Sequence, residues 1–275
     1  MTATPDPERP VAPADQPFTE LRGSTGVLLL HGYSGSPGEL RPLGQALAGA
    51  GYSVHAPLLA GHGGLPDALH GVRWEDWLAS AEAGLEQLRA SCRRVFLCGF
   101  SAGGLLALRL AVSHALAGLI ALAPALRLRG GALLPVAGLL QHVMPWYYPL
   151  ARANFGDPAV RAAVLARAPD ANLDDPAVVA GIRKAARVPI GSLYQLARLQ
   201  RAVVRDLPRV QLPTLIMQGR RDETVDPQSA ALVAERIGSR DKRLIWFDHS
   251  GHQLPRERER EQVNAAALEW LGQRS

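Results

Sequence analysis

Short runs of consecutive apolar residues recur along the chain at 27–30, 53–56, 95–98, 119–122, 215–218 and 244–247, and polar or helix-periodic sequence separates them. Runs this short, drawn mostly from Val, Ile and Leu, read as strands buried on both faces. Residues 40–47, 74–88, 105–112 and 230–237 set apolar side chains at helical spacing between the strands, and 263–271 does so at the end of the chain. Strands and helices alternating in this way predict an α/β fold. Its sheet is mostly parallel and doubly wound, covered on both faces and joined by right-handed crossovers, with functional loops at the carboxyl ends of the strands.

One connection breaks the rhythm. About ninety residues separate the strand ending near Ala123 from the one beginning near Thr214, far more than an ordinary crossover needs. Helical patterns at 159–168, 176–186 and 193–204, punctuated by prolines, predict a helical cap over residues 125–210, inserted between core segments 18–124 and 211–275. Trp146, Tyr147 and Tyr148 either line the inner wall of that cap as substrate contacts or pack it onto the core. Residues 1–17, polar and rich in proline, read as a disordered leader.

With 275 residues, 47% of them hydrophobic, the chain can bury a sizeable core. No segment approaches the roughly 20 apolar residues that span a bilayer, and the first apolar run is too short for a signal peptide. A cytoplasmic location without stable membrane insertion is therefore expected. Cys92 and Cys98 are too few for a disulfide framework. The net charge of +5 comes almost wholly from arginine, which is read as compositional bias and not as a nucleic-acid surface. Residues 125–210 carry twelve Lys and Arg against five Asp and Glu, a net of 12 − 5 = +7. That asymmetry either attracts anions or serves as a solvated face, and the second reading is preferred.

The apolar run at 95–98 ends in Gly99-Phe100-Ser101-Ala102-Gly103, followed by leucine- and alanine-rich helical sequence. Gly-x-Ser-x-Gly between a strand and a helix marks a sharp turn that holds a serine above the sheet, and it makes Ser101 the candidate nucleophile. A serine hydroxyl needs a histidine base, and the histidine needs a carboxylate to fix its tautomer. After the run at 215–218, residues 219–227 offer Asp222, Glu223 and Asp226. Asp226 precedes Pro227 and a helix start, so capping explains it, and Asp222 is the candidate acid. After the last strand come His249 and His252. Gly251 offers a tight turn that would swing His252 over the strand ends, which makes it the candidate base and His249 the decoy. The order serine, acid, histidine is the one expected with this turn.

A tetrahedral intermediate needs two backbone donors for its oxyanion. Ala102, next after the nucleophile, supplies one, and Tyr33, in the His31-Gly32-Tyr33 turn after the first strand, supplies the other, its ring forming a pocket wall. His31 has no carboxylate or second histidine at ligand spacing, so no metal is expected, and the serine, histidine and acid chemistry calls for no cofactor.

Six stretches carry a family likeness: Leu-Leu-Leu-His-Gly-Tyr-Ser-Gly-Ser-Pro (28–37), Ala-Pro-Leu-Leu-Ala-Gly-His-Gly (56–63), Trp-Glu-Asp-Trp (74–77), Gly-Phe-Ser-Ala-Gly-Gly (99–104), Gln-Gly-Arg-Arg-Asp-Glu-Thr-Val (218–225) and Ser-Gly-His (250–252). Together they resemble the small bacterial carboxylesterases and monoacylglycerol lipases of the α/β-hydrolase fold. The resemblance implies a triad of Ser101, Asp222 and His252, an oxyanion hole at Tyr33 and Ala102, a structural His62, and a small helical cap over an acyl pocket. The implied activity is hydrolysis of small carboxylic esters, of short to medium acyl chain or monoacylglycerols, through an acyl-enzyme. Thioesterase and other acyl-hydrolase chemistry uses the same triad, and a non-catalytic ligand-binding protein on this fold is the rival from a different class.

Overall fold

A computed structural model describes residues 11–131, 136–165 and 171–275. In chain order the elements are β1 (Phe18–Glu20), β2 (Thr25–Leu30), α1 (Arg41–Gly49), β3 (Ser53–Ala56), α2 (Trp74–Arg89), β4 (Arg94–Phe100), α3 (Ala102–Leu110) and β5 (Gly118–Leu122). After these come α4 (Ala137–Leu140), β6 (Trp146–Tyr147), α5 (Pro158–Leu165), α6 (Pro176–Ala185), β7 (Val188–Pro189), α7 (Ile190–Asp206), β8 (Thr214–Gly219), α8 (Gln228–Arg236), β9 (Lys242–Phe247) and α9 (Arg260–Gly272).

Seven strands form one sheet in the order β1-β3-β2-β4-β5-β8-β9, parallel throughout except for β1. Alternation along each strand divides the core into two layers. Leu28, Leu30, Leu97, Leu119 and Ile216 pack on one face with α2, α3, α7 and α8. Val27, Leu29, Phe96, Ile120 and Met217 pack on the other with α1 and α9. The central strands are buried on both faces, which is why they read as unbroken apolar runs.

Two boundaries differ from those expected. Within the leader, residues 1–10 lie outside the described residues, but Pro13–Asp15 forms a short 3-10 turn against the core. The Ser36 hydroxyl donates to the Asp15 carboxylate, and the Arg41 guanidinium donates to the carbonyls of Ala14 and Gln16. The same guanidinium lies 4.4 Å over the Phe18 ring, so the polar residues at 11–17 are held by specific partners. At the other end of the insertion, α7 is a core helix and not part of the cap. Leu196, Leu199 and Val203 project from it into the same apolar layer as α3, which moves the end of the insertion back to about Pro189.

Leu199→Ala is therefore expected to cost about 2–5 kcal/mol of unfolding free energy, the price of a core cavity. A shift in the urea midpoint worth under about 1 kcal/mol would put α7 back in the cap. The helical pattern at 159–168 is observed as α5 to Leu165, with its last residues outside the described ones, and the pattern at 176–186 as α6.

The first stretch of the insertion is tied to the core. Arg127 O accepts from the Asp226 amide and the Arg129 amide donates to Thr224 O, both at 2.9 Å, with Leu128 bridging Val225 between them.

Candidate active site

Parallel register brings three loops to the carboxyl edge of the sheet. Leu30 pairs with Gly99 in β4, Gly99 with Ala121 in β5, and Gly219 in β8 with Phe247 in β9. The chain turns from β4 into α3 at Ser101, whose φ of 55° and ψ of −117° lie in a region that L-residues avoid, at a cost of about 1–3 kcal/mol. Close packing on both sides holds it there. A Cβ on Gly99 would stand 2.2 Å from Gly103 O, and one on Gly103 would stand 2.0 Å from Leu30 O. These glycines let the helix start slide in beside β2, which also brings the 31–33 turn against Ser101.

His252 Nε2 lies 3.0 Å from Ser101 Oγ, and His252 Nδ1 lies 2.8 Å from Asp222 Oδ2. The carboxylate can only accept here, so Nδ1 carries the proton and Nε2 is free to accept from the serine hydroxyl. Asp222 is fully buried. Burial pushes its carboxyl upward. The hydrogen bond and charge of His252, the Val225 amide and the Gln218 side chain together outweigh that and hold it below the ordinary carboxylate range. Gln218 Nε2 donates to Oδ2 at 2.9 Å, while the Thr224 and Val225 amides donate to Oδ1 at 2.9 and 2.7 Å. The Arg129 side chain donates through Nε to the Asp222 carbonyl at 2.8 Å.

The close approach that carries His252 over the sheet falls at Gly219 and not at Gly251. Gly251 has no positive φ, whereas a Cβ on Gly219 would meet Gly251 O at 2.2 Å and Ser250 O at 2.4 Å. Two carboxylates then fasten the loop. Glu259 Oε2 accepts from the His249 amide at 2.9 Å and the Ser250 hydroxyl at 2.7 Å, and Glu257 accepts from the amides of Gly251 and Gln253. His249 points outward beside Arg221, Glu223 is exposed, and Asp226 Oδ1 accepts from the Gln228 amide where α8 begins.

The turn at 31–35 closes on itself through Gly35 N–H to Gly32 O. Its Gly32 amide donates to the buried Glu39 carboxylate at 3.0 Å. The amides of Tyr33 and Ala102 find no protein acceptor among the described residues. The Tyr33 ring stands edge-on to Trp77 and His62, and its hydroxyl meets Ser192 Oγ at 2.6 Å, linking the turn to the start of α7. Trp146 and Tyr147 are not brought to this cluster. Trp146 meets the His70 ring at 5.5 Å between centroids and the Arg187 guanidinium 4.3 Å over its ring, and Tyr147 and Tyr148 are exposed.

Two buried histidines support the turn. His31 Nε2 accepts from the Leu59 amide at 3.1 Å while Nδ1–H donates to Gly32 O at 3.0 Å. His62 Nδ1–H donates to Ala60 O, and its Nε2 has no partner among the described residues. Burial, reinforced for His31 by the neighbouring His62, lowers them to about 3 and about 4.

Both are thus neutral in the folded chain at pH values where an unfolded chain, with histidine near 6.5, already binds protons. The stabilisation is complete above that value and is lost as pH falls towards the folded values. The unfolding free energy is expected to drop by up to about 2.7 kcal/mol per pH unit near pH 5, two protons at about 1.36 each. His62→Asn, which keeps a donor for Ala60 O, should halve that slope. Urea midpoints that stay level from pH 7 to pH 5 would show that neither histidine is held neutral.

A strained serine hydrogen-bonded through histidine to a buried aspartate, above the carboxyl edge of this sheet, defines a serine hydrolase site on an α/β-hydrolase fold. The chain belongs to the family described as "Serine aminopeptidase, S33", which it matches over residues 24–259. It is similar to a thermostable monoacylglycerol lipase of a Bacillus species, 31% identical over 244 residues with 88% of each chain covered. A carboxylesterase of Bacillus subtilis is 26% identical over 257 residues, 93% of this chain and 96% of that one. Among solved structures, a metagenome-derived lipolytic enzyme superposes with a TM-score of 0.79 at 25% identity, covering 96% of this chain and 100% of the other. The monoacylglycerol lipase of Paleococcus ferrophilus gives 0.74 at 20% identity, covering 94% and 98%. Among the described residues no helix is long and apolar enough to cross a membrane.

Proposed function

We propose that this protein hydrolyses carboxylic esters of small alcohols, monoacylglycerols among them, through an acyl-enzyme on Ser101. The observation that carries the reading is the continuous hydrogen-bonded path from Ser101 Oγ through His252 to Asp222. In the reaction His252 Nε2 takes the serine proton as Oγ attacks the ester carbonyl, and Asp222 holds the ring and stabilises the imidazolium. The amides of Tyr33 and Ala102 receive the oxyanion, the imidazolium returns its proton to the leaving alcohol, and water attacks the acyl-enzyme with His252 again as base.

Two features favour an ester over the peptide substrate that the family description brings to mind. An aminopeptidase needs a carboxylate facing the nucleophile to hold the substrate ammonium. Among the described residues the two buried acids at the site are engaged by the protein: Asp222 by His252, Gln218 and two amides, and Glu39 by the Gly32 amide. The relatives named for lipase and esterase activity cover the chain almost end to end.

Intact-mass labelling with a fluorophosphonate, followed by a panel of p-nitrophenyl esters, monoacylglycerols, acyl thioesters and amino-acid p-nitroanilides, tests the proposal. One adduct, lost in Ser101→Ala, with ester turnover exceeding thioester and anilide turnover is the expected result. Preferential turnover of the anilides, or no adduct on folded protein, would overturn it.

A further inference from the structure

Outside the triad cluster, a groove of about 920 Å3 opens between the outer face of α7, the start of α2 and the loop after Leu126. Neither Ser101, His252, Asp222 nor Tyr33 lines it. Its floor is apolar, formed by Leu126, Leu128, Val204 and the half-buried Trp74. Its rim is cationic. Arg198, Arg201 and Arg205 recur at helical spacing on α7, and Arg127 faces them from the loop.

Arg198 is neutralised by Glu75 at 2.8 Å. Among the described residues Arg201 bonds the Ala197 carbonyl and lies 5.8 Å from the Tyr194 ring centre. Neither it, Arg205 nor Arg127 has a carboxylate partner among the described residues. The one acid on the rim, Asp226, already accepts from the Gln228 amide. Part of the positive charge of residues 125–210 thus stands, solvent-exposed, around an apolar trough.

We propose that this groove is a second binding site, for the anion of a free fatty acid. An apolar floor takes an alkyl chain, and unpaired guanidinium forks at the rim match a carboxylate in the bidentate manner. The choice of a carboxylate over another anionic amphiphile rests on the proposed ester hydrolysis, which yields one as product. An anion without a chain gains only the screened exposed charges, and a chain without an anion gains only the floor.

Trp74 provides the readout. Titration with ω-bromododecanoate, a heavy-atom quencher, is expected to quench fluorescence saturably, and Trp74→Phe should remove that component. Charge reversal in Arg201→Glu/Arg205→Glu should weaken binding about tenfold or more while leaving p-nitrophenyl acetate hydrolysis and the melting temperature unchanged. The neutral ω-bromododecanol, which carries the same quencher, should give no saturable signal on Trp74. Equal quenching by the alcohol, undiminished affinity in the charge-reversed protein, or absence of saturable quenching would each overturn the site. The binding measurement needs no turnover, so loss of esterase activity in the parent protein would refute the reaction without bearing on whether the groove binds.

Discussion

Replacing Ser101 with alanine is expected to lower p-nitrophenyl ester turnover by roughly a thousandfold or more while the protein still folds. The size of the loss follows from chemistry that nothing nearby can replace. The covalent intermediate needs an oxygen at the strained apex between β4 and α3, and among the described residues no other hydroxyl shares His252 Nε2. Folding should survive because Gly99 and Gly103 make the apex possible, and they are untouched. Alanine at φ 55° carries much the same backbone penalty as serine, so the melting temperature should move by only a few degrees. Activity within tenfold of the parent, in protein shown free of parent enzyme, would remove Ser101 from the mechanism.

The second large effect is a contrast between two histidines three residues apart. His252→Ala removes the ring nitrogen hydrogen-bonded to Ser101 Oγ, the proposed base, and should also cost roughly a thousandfold or more. His249→Ala should change turnover by less than about twofold. The asymmetry is written in their surroundings. His252 is hydrogen-bonded on both ring nitrogens within the site, whereas the His249 ring is exposed beside Arg221, and its share in the loop is made by its backbone amide to Glu259. A backbone bond survives the loss of the ring. The reverse ranking would transfer the role of base to His249.

Much of this site could be read from residue order alone, because strands buried on both faces write themselves as unbroken apolar runs and the serine turn demands glycines at fixed offsets. The features that escaped were those whose meaning lies in distant partners. The sequence Arg256-Glu257-Arg258-Glu259-Arg260-Glu261 looks like a solvated charge run, yet Glu257 and Glu259 hold the His252 loop by its amides. Glu39 gave no sign of sitting beneath the 31–35 turn, since seven residues intervene before it meets the Gly32 amide.

Gly219 reads as an ordinary strand end until the 250–251 backbone crosses it. Three-residue β1 follows directly on Pro17 and is too short to leave a periodicity. The amphipathic pattern of α7 is the same whether it covers a cap or a core. Aromatics in an insertion, Trp146 and Tyr147 among them, read equally as pocket walls or as packing, and only folding shows Trp146 against Arg187 and Tyr147 exposed.

The chain leaves the sheet at a seam where residues 127–129 pair with 224–226, and it rejoins the core at α7. None of the five groups assigned to the reaction lies in the excursion between those anchors. That stretch can be treated as a replaceable cassette. Grafting residues 136–187 from a relative, with both anchors retained, would show whether this stretch sets acyl preference while the reacting centre stays untouched.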